Sequence, residues 1–267
     1  MTSSAGLLLL LLLGLSQAFP VEEDGSSEEQ EEEGEEGEEE DTSDMTTGIL
    51  SSNNASDEFL LQGDLLAPKT RNAMNCYNGG CLWRKNGAEV TVPYVMTRQF
   101  NRNQMGMIQR AMKAIERQTC IRFKQRSREN DYIEIRSQQG CFSALGRSGG
   151  RQMLSLNVRG CLHHGIIMHE LNHALGFQHE QNRSDRDSHV SINWQNMQRQ
   201  MAYNFEKQNT NNLNTPYDYN SIMHYGRTAF SINGRDTITP KRRAQIGQRQ
   251  RLSRWDVERL NILYRCQ

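Results

Sequence analysis

Three histidines and a glutamate lie close together in the run HELNHALGFQH, which begins at His169. His169 and His173 are four residues apart, so on a helix both imidazoles project from one face and can bind one metal ion at about 2.0–2.1 Å. Gly176 can adopt the left-handed conformation that ends a helix, and the turn would bring His179 to the same ion. Three protein ligands leave one position for water, with Glu170 beside it. The pattern therefore predicts one catalytic Zn²⁺.

Two other interpretations of this run are weaker. Surface histidines on an amphipathic helix would match these fixed positions by accident in on the order of one chain in ten thousand. A structural zinc site mostly uses four Cys or His ligands and has no use for a carboxylate beside the metal. The sequence thus favours hydrolytic zinc chemistry.

The first 71 residues differ in composition from the rest. Residues 1–18 have an apolar core followed by small residues typical of a cleavage site, which predicts a secretory signal peptide. Residues 19–71 contain a Glu-rich tract, which predicts an acidic, largely disordered pro-segment. Residues 1–71 carry 18 acidic and 2 basic residues (net −16), whereas 72–267 carry 14 and 29 (net +15). No later stretch approaches the ~20 apolar residues of a membrane span.

All six cysteines lie in the basic region. An even number in a secreted chain predicts three disulfides, with two free thiols as the alternative. Many pairings are possible, but Cys76 and Cys81 flank a turn-like Asn-Gly-Gly and we expect them to pair locally.

Residues 72–267 suffice for one domain with a core. Alternating or β-branched residues predict strands at 90–95, 132–136 and 153–158. Apolar residues at helical spacing predict a helix packed on that sheet, and other helices follow from spacing and capping signals. We therefore predict an α+β fold with two lobes around a cleft. The expected helices are 105–115, the metal helix 163–175 with Gly176 as its stop, one through 192–205, and one from Ser253 to near Cys266, with a polar loop at 209–220.

Three longer motifs resemble the astacin family of metzincin zinc endopeptidases. From His169 to Asp187 the chain reads HELNHALGFQHEQNRSDRD, which fits the family pattern HExxHxxGFxHExxRxDRD at every fixed position. Residues 221–225, SIMHY, resemble the family's Met-turn, and 260–266, LNILYRC, resemble its C-terminal end. The similarity covers 72–267 and implies a two-lobed metzincin catalytic domain.

The resemblance implies roles for residues around the metal. Tyr225 would be a fifth zinc ligand that moves to hydrogen-bond the oxyanion, with an ordinary buried aromatic as the alternative. Met223 would be apolar support beneath the zinc and not a ligand. Glu180 would be linked to the buried N-terminal ammonium of mature enzyme, which would belong to Asn72.

A second resemblance to the family implies that the chain is made as an inactive precursor. Gly63-Asp64 resembles the end of the family's pro-segment motif FxGD, although the gap after Phe59 is longer. Asp64 would then occupy the water position on zinc, with a turn aspartate as the alternative. Arg71 before Asn72 suggests activation by a trypsin-like protease.

Within the family, the six cysteines resemble the fish hatching-enzyme (choriolysin) group. This likeness implies the pairs Cys120–Cys266 and Cys141–Cys161. It also implies that substrate binds extended, as an added strand near 141–144.

These features predict a secreted zinc endopeptidase that cleaves extracellular protein, such as an acidic egg-envelope glycoprotein at hatching. The alternatives are a six-cysteine astacin protease that acts on matrix or secreted proteins in another tissue, and a non-catalytic binding module. We expect a monomer that can be stored in secretory granules, without nucleic-acid or membrane partners. Asn54 and Asn182 begin glycosylation sequons.

Overall fold

The computed structural model describes residues 45–67 and 80–266. The predicted signal peptide and the positions Arg71, Asn72 and Cys76 lie outside these ranges. The described helices and strands are, in chain order, α1 (Met45–Asn53), β1 (Leu60–Leu61), β2 (Leu65–Leu66), β3 (Lys85–Asn86), β4 (Glu89–Met96), α2 (Arg102–Glu116), β5 (Ile121–Gln125), β6 (Tyr132–Arg136), β7 (Cys141–Ser143), β8 (Arg151–Leu156), α3 (His164–Ala174), β9 (Val190–Ile192), β10 (Ile238–Pro240) and α4 (Arg254–Leu263).

The main sheet mixes parallel and antiparallel strands. Its order is β1-β2-β7-β8-β6-β4-β3, and β5 also pairs with β4. β4 is parallel to β5 and β6, and β6 is parallel to β8, whereas β7 is antiparallel to β8. β4, β6 and β8 confirm the three predicted strands, although β8 begins two residues earlier than expected. The α+β class is therefore confirmed.

Two predicted helices pack together beside this sheet. α2 begins at a capping box, in which Asn101 and Gln104 each accept a hydrogen bond from the other's backbone. Its inward positions are apolar at helical spacing, so they are buried against the sheet and α3. The predicted metal helix is α3, and it is buried along nearly its whole length. The residues that α2 buries are Ile108, Ala111, Met112, Ile115 and Glu116.

The predicted helix through 192–205 is wrong in type. Ile192 belongs to β9 and pairs with Ile238 of β10, and two short 3₁₀ helices follow, Trp194–Asn196 and Arg199–Phe205. The Asn193 side chain donates to the Asp236 carbonyl and to Thr239 Oγ1, which holds this part of the chain against β10. Apolar spacing alone cannot reveal such distant partners. These residues pack into a second, smaller hydrophobic cluster.

The last predicted helix is α4. Ser253 Oγ accepts from the Asp256 N–H, and the Asp256 carboxylate accepts from the Ser253 N–H, which completes the predicted capping box. The structure contains the disulfides Cys120–Cys266 and Cys141–Cys161. The expected Cys76–Cys81 pair includes a residue outside the described ranges and stays a prediction. No helix within 45–67 or 80–266 is long and apolar enough to cross a membrane.

Candidate metal centre

The end of α3 places the three histidines. His169 and His173 lie one turn apart on the helix, and both side chains are fully buried. Gly176 has φ of +103°, in the left-handed region that favours glycine, and its N–H donates to the His173 carbonyl. The chain reverses there and brings buried His179 to the other two imidazoles. The predicted stop at Gly176 is thus where the helix ends.

Two aromatic side chains secure this helix end. The Trp83 indole N–H donates to the Ala174 carbonyl at 2.8 Å, and the Tyr264 hydroxyl donates to the Leu175 carbonyl at 3.0 Å. The last carbonyls of a helix have no partner within it, so these bonds satisfy acceptors that would otherwise be buried unpaired. Tyr264 follows α4, and the C-terminal helix therefore supports the metal helix.

Four buried side chains converge on one point: Asp64, His169, His173 and His179. The Nε2 of His169 lies 3.2 Å from that of His173 and 3.3 Å from that of His179. Asp64 carboxylate oxygens lie 3.0–3.2 Å from all three nitrogens. Ligands held about 2.0–2.1 Å from a tetrahedral zinc ion are about 3.3–3.4 Å apart, so the donor set fits Zn²⁺ in size and chemistry.

Each imidazole directs its Nε2 lone pair inward because its Nδ1–H has another partner. His169 Nδ1 donates to the Ile222 carbonyl at 2.8 Å, and His173 Nδ1 donates to the Phe177 carbonyl at 2.7 Å. His179 Nδ1 donates to Gln62 Oε1 at 2.9 Å. Burial lowers the pKa of His179 to about 4 and lowers that of His169 well below its ordinary value. The rings of His169 and His179 are therefore neutral, the form that binds metals.

Glu170 lies next to His169 on α3 and is fully buried. Neither of its carboxylate oxygens has a hydrogen-bond partner among the described residues. Burial, followed by the nearby Asp64 carboxylate, raises the pKa of Glu170 well above its ordinary value. Burying an ionised carboxylate without a donor is costly, which is why the pKa rises, and a carboxylate with a raised pKa suits a general base.

Tyr225 reaches the same point from the Met-turn. Its ring centroid is 4.3 Å from that of His179, and its hydroxyl lies 2.9 Å from Asp64 Oδ2 and 2.8 Å from the Gln62 carbonyl. The two acceptors share the single hydroxyl proton. Met223 is 2% exposed and packs in the main core, and its carbonyl accepts from the Glu180 N–H.

Residues 45–67 cover the sheet edge predicted to receive substrate. Leu65 of β2 pairs in parallel with Ser143 of β7, and the Ser143 N–H donates to the Asp64 carbonyl at 3.0 Å. Asn53 accepts from the Cys141 N–H at 2.6 Å and donates to the Cys141 carbonyl at 2.7 Å. The Asn53 side chain thus bonds both the backbone N–H and the backbone carbonyl of Cys141 at the sheet edge. Asn53 and Gln62 gave no signal in the sequence.

Phe59 does not contribute to the metal centre. Its side chain is 66% exposed and stacks on Tyr203, with ring centroids 6.0 Å apart. This phenylalanine therefore lies on the surface, where it lines a cavity of about 450 Å³ between residues 45–67 and the C-terminal part of the chain.

Glu180 is buried and bonded to three other groups. Its carboxylate accepts from Arg259 at 2.6 and 3.0 Å, from Arg183 at 3.3 Å and from the Asp218 N–H at 2.6 Å. Burial raises the pKa of Glu180, and the arginines act in the opposite direction. Arg259 lies 79 residues away in sequence, and nothing near the motif indicated it. Asn72, its expected partner, is outside the described residues.

The two sequons differ in exposure. Asn182 is fully buried, and both of its amide hydrogens are used, by the carbonyls of Asn204 and Glu206. Asn54 follows α1 and is exposed. A glycan can therefore reach Asn54 and not Asn182 in this fold.

Comparison with known proteins identifies the family. Residues 81–265 match the model of Astacin, a peptidase family. The chain belongs to the astacin family. High choriolytic enzyme 2 of Oryzias latipes is 59% identical over 100% of this chain and 99% of its own length. Low choriolytic enzyme of the same fish is 47% identical over 99% and 98%.

A solved structure agrees with this assignment. High choriolytic enzyme 1, described as a hatching enzyme zinc-protease of Oryzias latipes, is 56% identical and superposes with a TM-score of 0.71. The match covers 73% of this chain and all of that one. As an astacin, the protein is a zinc metalloendopeptidase, and Zn²⁺ is its cofactor.

Proposed function

We propose that this chain is the latent precursor of a secreted endopeptidase that digests egg-envelope protein. Choriolytic relatives that match it over nearly their whole length support the substrate class. The placement of Asp64 among the three histidines supports latency and is the observation that carries the proposal.

In this proposal His169, His173 and His179 hold the zinc ion. When bound, Zn²⁺ supplies an acidified water and polarises the scissile carbonyl. Glu170 accepts a proton from that water as its oxygen bonds to the carbonyl carbon, and then passes the proton to the amide nitrogen as the C–N bond breaks. Its buried, unpartnered oxygens suit this task.

Tyr225 would stabilise the oxyanion. In the precursor its hydroxyl is held by Asp64 and Gln62, both within the segment that activation removes. Release of that segment frees the hydroxyl to donate to the negative oxygen that forms in the transition state. Such a donor stabilises the transition state more than the ground state. Met223 supports the site by packing beneath it.

The edge of β7 would bind substrate as an added strand. Its Ser143 N–H and both backbone groups of Cys141 are now bonded to residues 45–67, so substrate cannot pair there in the precursor. Cleavage after Arg71 by a trypsin-like protease would remove this competitor. The new Asn72 ammonium would then approach Glu180, whose carboxylate already accepts from Arg183 and Arg259.

Secretion is supported by the leader-like residues 1–18 and by the disulfides. We expect a monomer, stored in granules before release. The same chemistry would also serve a protease of another tissue, and localisation of the transcript to hatching glands or elsewhere separates these two roles.

The catalytic assignment is tested by two variants of the processed enzyme. Glu170→Ala should bind one zinc per chain and lose most peptidase activity, because the general base is gone while the ligands stay. His173→Ala should lose the metal as well. Zinc is measured by atomic absorption and activity with a fluorogenic peptide. Normal turnover by Glu170→Ala would remove this residue from the mechanism.

A further inference from the structure

One peptide unit of the Met-turn contacts the metal site on one side and the Ser221 hydroxyl on the other, and that hydroxyl contacts α4. The Ile222 carbonyl accepts the His169 Nδ1–H at 2.8 Å. The N–H of the same peptide unit belongs to Met223 and donates to Ser221 Oγ at 3.0 Å. The hydrogen bond that orients the first histidine is therefore coupled, through one planar amide, to a serine hydroxyl.

Ser221 in turn is bonded to a carboxylate. Its hydroxyl donates to Asp256 Oδ1 at 2.6 Å, and the other carboxylate oxygen accepts from the N–H groups of Ile222 at 2.9 Å and Ser253 at 2.8 Å. The Met223 N–H can only donate, so Ser221 Oγ accepts from it and points its own proton at Asp256. Ser221 and His169 are fully buried, and Asp256 is 4% exposed.

The three hydrogen bonds of the series that connects His169 to Asp256 are all donated in the direction of Asp256. The carboxylate makes the serine oxygen a better acceptor, which polarises the Met223 N–H and places more negative charge on the Ile222 carbonyl. That carbonyl then draws more strongly on the His169 Nδ1–H. Hydrogen bonds arranged in this way strengthen one another in a buried site. A zinc-binding histidine often donates to a carboxylate directly, whereas here the charge acts through a hydroxyl and a peptide.

We propose that Asp256 and Ser221 are positioning residues that orient His169 and make its Nε2 a stronger zinc ligand. The proposal rests on the assignment of His169 as a ligand. It differs from a purely structural role for Asp256, which also belongs to the capping box of α4. The two roles can be separated, because Ser221 belongs to the series and not to the capping box, and Ser253 Oγ belongs to the capping box and not to the series.

The test is the zinc affinity of the full-length chain, measured by competition with a chromophoric chelator. Ser221→Ala should raise the zinc Kd about 10-fold, the low end of the effect of losing a partner that bonds the ligand itself, because Ser221 acts through one peptide unit. Ser253→Ala is the matched control. It should lower Tm by about 2–4 °C through loss of the cap and leave the zinc Kd unchanged. Asp256→Asn should both raise the zinc Kd and lower Tm. If this variant fails to fold, the zinc Kd of Ser221→Ala still tests the proposal.

Cobalt substitution gives a second measurement. The d–d absorption of the Co²⁺ form should change in Ser221→Ala and not in Ser253→Ala, because it reports the ligand field and not helix stability. Wild-type zinc affinity in Ser221→Ala, or an equal loss in Ser253→Ala, would overturn the proposal. Wild-type affinity in His169→Ala would instead overturn the ligand assignment on which it rests.

Discussion

Replacing Asn53 with alanine should weaken inhibition by residues 45–67 on the order of a hundredfold. Asn53 donates to the carbonyls of Gly63 at 2.8 Å and Cys141 at 2.7 Å, and it accepts from the Cys141 N–H at 2.6 Å. These bonds join residues 45–67 both to one another and to the edge of β7.

The magnitude follows from the number of bonds lost. A buried hydrogen bond contributes about 1 kcal/mol net, so three contribute about 3 kcal/mol. Every 1.4 kcal/mol is about tenfold in a binding constant, which gives a ratio on the order of one hundred. Alanine also favours the helical end of α1 slightly, which offsets a few tenths of a kcal/mol.

The assay uses a synthetic peptide of residues 45–67 as an inhibitor of the processed enzyme. The ratio of Ki values for the Asn53→Ala and wild-type peptides reports the free-energy difference directly. The control is the Asn54→Ala peptide, which makes the same change at the next, exposed position and should inhibit like wild type. If the two substituted peptides inhibit equally, Asn53 does not compete for the substrate edge and the reasoning fails.

Further outcomes test the remaining proposals. Uncleaved Asp64→Ala precursor should hydrolyse a fluorogenic peptide measurably, because the competing carboxylate is gone; a variant as silent as wild type would mean that the segment inhibits by steric coverage alone. Cleavage of an insoluble acidic envelope should fall steeply from about 0.1 M to 1 M salt, as the Debye length shortens from about 10 Å to 3 Å, whereas turnover of a short neutral peptide should fall far less. Equal salt dependence would exclude steering by the basic domain. Mass spectrometry of the secreted precursor should find a glycan at Asn54 and none at Asn182, and a modified Asn182 would contradict its burial.

Local patterns account for the parts of the fold that the sequence predicts well. The 3.6-residue period fixes α2, the four-residue spacing places His169 beside His173, and Gly176 marks the reversal before His179. Each of these signals lies within about a dozen residues of its consequence. The capping box at Ser253 is local in the same sense.

The parts that the sequence misses depend on distant partners. Asn53 meets Cys141 across 88 residues, and Gln62 meets His179 across 117. Asp256 is recognisable as a helix cap, yet its bonds to the Met-turn appear only when α4 is packed. The residues through 192–205 have apolar spacing typical of a helix, but strand pairing and the Asn193 amide determine their conformation. A one-dimensional pattern contains no information on such contacts.

The buried position of Asp64 also determines the charge balance of activation. With Zn²⁺ in place, the precursor site contains two acidic side chains, Asp64 and Glu170, both fully shielded from solvent. In the proposed activation, removing residues 45–67 would take away one negative charge and leave the cavity one unit more positive. A group that gains negative charge during the reaction would restore the balance, as the substrate oxygen does in the transition state. In the proposed activation, the electrostatic attraction that holds Asp64 in the precursor would, once this aspartate has gone, act on the negative charge of the transition state.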